Sequence, residues 1–187
     1  MSDTIADHRR ELAAGFDQAI RIAAGVRAEQ LLLPTPCTDF DVAALLAHLV
    51  VAGSHALPDS GSVTPADVAP EAVPAELARL RDAAAAAWSD ARLHEEITVP
   101  WGETYSGSTL VAFYAIELVT HAIDLAMATG QRDALDETLA ASVLPLAEAH
   151  IEPAHRGPQM PFGPIVPAPA GARASEALAA FMGRTLP

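Results

Sequence analysis

The chain has 187 residues, 51% of them apolar but only 5% aromatic, which suits one domain of packed helices better than a sheet. Its formal net charge of −13 argues against nucleic acid or an anionic membrane as partner and leaves a small molecule as the expected one. Cys37, the one cysteine, excludes an intrachain disulfide and a thiolate zinc cluster.

Residues 4–33 place Ile5, Leu12, Phe16, Ile20, Ala23 and Ala24 mostly three, four and seven apart. That spacing predicts an amphipathic helix capped by Asp3 or Thr4, weakened at Gly25 and stopped by Pro34 and Pro36. The first residues hold no apolar signal-like stretch and no run is read as a membrane span, so a soluble cytoplasmic protein is the expectation. Thr38 followed by Asp41 predicts a capping-box start to a second helix, with Val42, Leu45, Leu46 and Leu49 as its stripe. His48 lies off that stripe, beside Ala44 and Ala52; taken alone it reads as a surface residue or a packed partner. His55 is expected to be exposed. Cys37 stands beside Thr38, where a helix dipole would lower a thiol pKa; it is read as a small packed hydrophobe all the same.

Residues 57–74 are rich in Pro, Asp, Ser and Gly and read as a mobile loop inside a single domain spanning 1–187. Helical character returns over 75–92 with Leu77, Leu80, Ala84 and Trp88, and the stretch HEEITVPWGETYSG then predicts a short hairpin or extended crossover. The stretch STLVAFYAIELVTHAIDLAMATG, 108–130, reads as one long helix, apolar almost all round and ended by Gly130. Residues 134–149 form a further helix bent at Pro145. The proline-rich tail over 151–174 sets Met160, Phe162, Ile165 and Val166 to lie over a core or cap a pocket, and 175–182 is a closing helix.

Apart from its tyrosine, the long helix carries three ionisable side chains, Glu117, His121 and Asp124, all on one stripe. A buried carboxylate or imidazole is costly unless paired, protonated or bound to metal. Glu117 and His121, four apart, present an oxygen and a nitrogen to one ion, and His48 from a neighbouring helix completes a His₂Glu set. Such a set leaves a coordination position open, as catalytic zinc sites do; nickel, iron and manganese also accept it. Asp124, one turn on, is placed to orient a ligand imidazole. An intrahelical Glu117–His121 hydrogen bond in a packed core is the alternative.

Together, PTPCTDFDVAALLAHLV and ELVTHAIDLAMATG resemble the actinobacterial branch of the DinB/YfiT-like superfamily, related to the N-terminal domain of mycothiol-dependent maleylpyruvate isomerase. The tail PFGPIVPAPAGARASEALAAFMGR resembles the end of a metal-binding group in that branch. Phe40 stands where the family often has Trp, and Ala43 and Ala44 replace a commonly charged pair. The resemblance implies an all-α, DinB-like four-helix bundle with a divalent metal held by His48, Glu117 and His121. It implies a transferase or isomerase that directs mycothiol, or a similar thiol, at a small electrophile, as a monomer or homodimer. A non-catalytic metal-binding or ligand-sequestering protein and a metal-dependent hydrolase are alternatives on the same fold.

Overall fold

The computed structural model describes residues 6–57, 68–100, 102–157 and 162–185. The expected cap at Asp3 or Thr4, Met160, and most of the loop expected over 57–74 lie outside them. The described end of that loop, Pro70–Ala72, is a 3₁₀ turn leading into the third helix. Among the described residues the regular structure is helical apart from one small ribbon.

Helix α1 spans Arg9–Ala24. It begins where the Asp7 carboxylate accepts the Arg9 N–H at 3.1 Å. It does not continue to Pro34 as the periodicity predicts, because the side chain of Gln131 crosses its end. Gln131 Nε2 donates to the Ile22 carbonyl at 3.0 Å. A Cβ on residue 25 would lie 2.1 Å from Gln131 Oε1, so glycine admits the crossing. Beyond it, Ala28–Gln30 forms a 3₁₀ turn, and Gln30 donates to the Thr129 carbonyl.

Helix α2 spans Val42–His55 and is capped by Asp41, which accepts the Ala44 N–H at 2.8 Å. Thr38 is not the cap. The Thr35 hydroxyl contacts the carbonyls of Cys37 and Phe40, both at 2.8 Å, and folds 35–40 into a tight loop before a helix can start. Helix α3, Val73–Ala87, stops at Trp88 instead of running to 92; the Trp88 indole N–H donates to the Ala56 carbonyl at 2.7 Å. A single turn, α4 (Asp90–Leu93), leads to the predicted hairpin: β1 (Glu96–Thr98) pairs antiparallel with β2 (Thr104–Ser106), Ile97 facing Tyr105.

Helix α5, Gly107–Thr129, starts at a Ser106 cap and ends at left-handed Gly130. It packs against α1 and α2, and on its other side against α6 (Glu137–His150) and α7 (Ala174–Phe181). One apolar core joins Leu118, Ala122 and Leu125 to α1, α2 and α3. A second joins Ile116, Val119, Ile123 and Met127 to α6 and α7. This double burial explains the helix's all-round apolarity. It also corrects the expectation that no run approaches a membrane span: α5 is long and apolar enough, but 83% of its apolar window is buried inside the fold.

Helix α6 starts later than predicted, at the Asp136 cap, because Arg132–Ala134 forms a separate 3₁₀ turn; Pro145 lies within it. In the tail, Phe162 packs on the second core. Ile165 does not lie over a core; it is 56% exposed. Arg156 Nη1 donates to the carbonyls of Gly163 and Phe181, fastening the tail to α7.

Candidate metal centre

Helix α2 brings His48 against the polar stripe of α5. His48 Nε2 lies 3.1 Å from Glu117 Oε1, and His121 Nε2 lies 3.6 Å from the same oxygen. One ligand atom from each of the three side chains falls within 4.8 Å of the others. Bonds of about 2.0–2.2 Å in a tetrahedral shell put ligand atoms about 3.3–3.6 Å apart. The two separations bracket that range closely enough that small side-chain adjustments would admit an ion. The donor set, two imidazoles and a carboxylate, fits a divalent first-row metal.

The expected orienting residue lies where the stripe puts it. Asp124 is fully buried, and its Oδ2 accepts from His121 Nδ1 at 3.2 Å. With one proton held on Nδ1, Nε2 is the atom that faces Glu117, and an ion would take the place of its proton there. Asp124 has a second partner that sequence reasoning missed. Arg184 donates to it through Nε and Nη2 at 3.1–3.2 Å, with 8% of its side chain exposed. Gly183 turns the chain toward the site at φ +84°, and a Cβ there would lie 2.8 Å from the Gly163 backbone. The doublet Gly183–Arg184 after an apolar helix is the one local signal of this contact.

Electrostatics follow from these contacts. Burial works to raise the Glu117 pKa, but hydrogen bonds to His121 and His48 and their charge outweigh it and hold the carboxyl well below the usual range. Burial works to lower His121, yet Asp124 and Glu117 push it up to about 9. Arg184 is raised despite its burial, by the charge and hydrogen bonds of Asp124.

Two further neighbours complete the surroundings. The Phe40 ring stacks on His48 with centroids 4.6 Å apart and meets His121 edge-on at 6.2 Å. Cys37, half-buried, offers its sulfur to a second cluster with His121 and Asp124. That set is the poorer metal candidate because Arg184 already occupies Asp124. Burial pushes the Cys37 thiol up. The helix-dipole effect considered for it does not arise, since α2 begins only at Val42. His55 is exposed, as expected. Glu117 also borders a cavity of about 410 Å³ on the side away from Asp124.

No family model matches the chain. Two proteins of Mycobacterium tuberculosis, uncharacterized protein MT0763 and uncharacterized protein Rv0738 from two strains, are each 35% identical to it over 179 residues. The alignment covers 91% of this chain and 93% of each relative. Among solved structures, a histidine-to-alanine mutant of mycothiol-dependent maleylpyruvate isomerase is similar at a TM-score of 0.41. It is 21% identical, with 73% of this chain and 68% of that one covered.

Proposed function

We infer function for this chain as a member of the family of Rv0738 and MT0763, to which it belongs, and propose that it is a divalent-metal-binding protein that directs a low-molecular-weight thiol at a small electrophile. His48, Glu117 and His121 hold the ion, zinc before nickel, iron or manganese given the His₂Glu donors. The observation that carries this reading is the convergence of the three side chains from two helices, with separations of 3.1 and 3.6 Å on one carboxylate oxygen. On this reading the fold is a DinB-like four-helix bundle of α1, α2, α3 and α5 in one domain. It works as a soluble cytoplasmic monomer or homodimer. The thiol is mycothiol or a similar one, after the motif resemblance of residues 34–50 and 117–130.

A divalent cation supplies the positive charge that lets a thiol lose its proton near neutral pH. The protein's own groups do the rest. Asp124 holds the proton on His121 Nδ1, so that Nε2 faces the site. Arg184 fixes Asp124 from behind and balances its charge. Phe40 covers one face of His48 and keeps water from it.

The test is elemental analysis of the full chain beside His121→Ala, followed by titration with small thiols. Near-stoichiometric metal in the wild type, lost in the variant and perturbed by thiol, is the expected result. No metal in protein purified without chelator, and none taken up when offered, would sink the site and leave a hydrogen-bonded polar cluster. Metal that ignores every thiol moves the assignment to a non-catalytic or hydrolytic metal protein.

A further inference from the structure

The cavity beside Glu117 has a chemistry of its own. Its walls are Leu110, Phe113 and Ile116 from α5, with Ile151 and Phe162 arriving from beyond α6. At about 410 Å³ it falls within the range of about 300–1,000 Å³ common for small-molecule sites. Phe113 and Glu117 are four apart on one helix face, a rise of about 6 Å. A molecule seated in the cavity therefore lies one turn from the His48–Glu117–His121 cluster.

Three rings meet there edge to face. Phe113 contacts Tyr105 with centroids at 5.2 Å and His150 at 5.4 Å, leaving surfaces against which a flat ring packs well. Its ionisable lining is two glutamates, two histidines and two tyrosines. Glu103 and Glu117 both border the cavity, and no arginine does so among the described residues. The Tyr105 hydroxyl donates to Glu103 and so offers no free donor to an incoming anion. The Tyr114 hydroxyl and two imidazoles remain. Burial, with the charge of His8 behind it, pushes the His150 pKa down, and His55 stands exposed at the rim.

We propose that this cavity is the electrophile's subsite, and that it selects an uncharged, apolar molecule of one or two rings over a dicarboxylate or other small anion. A carboxylate entering it would meet Glu103, with no guanidinium to pair with and apolar walls that strip its water; Glu117 adds little, its charge being met already by the two imidazoles or by an ion they hold. A neutral ring gives up little hydration and gains contact with Phe113, Ile116 and Phe162. The catalytic meaning of this subsite rests on the metal–thiol reading above, whereas the selectivity belongs to the cavity alone.

The experiment uses the neutral fluorophore N-phenyl-1-naphthylamine as probe with the full chain, as purified and after chelator treatment. Displacement is then measured with 1-chloro-2,4-dinitrobenzene, a neutral aromatic electrophile, and with maleate. The expected result is saturable probe binding displaced by the neutral compound and not by maleate. Phe113→Arg is expected to weaken probe binding by about tenfold or more, since a charge enters an apolar wall. Tyr105→Arg, on the hairpin at the edge of the fold, repeats the test should Phe113→Arg fail to fold. Displacement by maleate equal to that by the neutral compound would overturn the proposal, as would probe binding indifferent to both substitutions. The two readings fail separately. Probe binding without any metal uptake rejects the metal–thiol reading and keeps the cavity's selectivity, while thiol-responsive metal with a cavity that prefers maleate does the reverse.

Discussion

At the scale of single residues, Asp124 is a buried charge held from two sides. It lies between an imidazole and a guanidinium, with 0% of its surface exposed. Removing Arg184 strands its charge. Arg184→Ala is expected to cost about 3–5 kcal/mol in denaturant melts, the usual penalty for breaking a buried pair from one side. The double change Asp124→Asn with Arg184→Met, which keeps an acceptor for His121 Nδ1, should recover most of that loss, and a double variant as unstable as the single one would contradict this account. A pH dependence follows from the same cluster. His121 in the metal-free protein is raised from 6.5 to about 9. Its contribution to stability is therefore fully present below pH 6.5 and lost as pH rises through about 9. Glu117 is depressed from 4.5, so its contribution is present above pH 4.5 and lost as pH falls through its lowered value. The metal-free protein should thus have a higher denaturant midpoint at pH 5.5 than at pH 9.5. Metal added at pH 9.5 should restore the midpoint, because the ion replaces the proton on His121.

At the scale of elements, α5 organises everything else. It donates apolar faces to two cores and keeps its polar stripe for the seam with α2. The segment after α7 matters nearly as much, since Gly183 and Gly163 approach closely enough for Arg184 to reach inward. Gly183→Ala combines strain at φ +84° with a backbone clash, and is expected to cost about 1–3 kcal/mol. It should also lower metal occupancy although it lies on neither ligand helix. Elemental analysis of the folded variant checks this; full occupancy would mean that Arg184 does not support the ligand imidazole.

At the scale of the whole molecule, the long helix and its stripe were legible because three ionisable groups in an apolar run stand out from their surroundings. The hairpin was legible for a similar reason, as an alternating run around Gly102. His48 was not legible alone; its partner on α5 gave it meaning. What escaped were features decided by distant contacts. Trp88 ends α3 because the Ala56 carbonyl, 32 residues earlier, takes its indole proton. Gly25 ends α1 because Gln131 arrives across the fold. Arg184 stands 60 residues from Asp124, with no periodicity linking them, and Phe40 read as a family departure before its ring was placed on His48. Local patterns report which face a helix buries, and they carry little about which distant group meets it there.

The same separation has a consequence in time. Translation at about 5–20 residues per second delivers Arg184 roughly 3–12 s after Asp124, given the 60 residues between them. Over that interval a nascent chain carries Asp124 and His121 without the guanidinium that later occupies the carboxylate. The arrival of Arg184 is what turns Asp124 from an open carboxylate beside His121 and Cys37 into one side of a buried ion pair. The order of synthesis thereby leaves the Asp124 carboxylate without its guanidinium until the last residues of the chain are made.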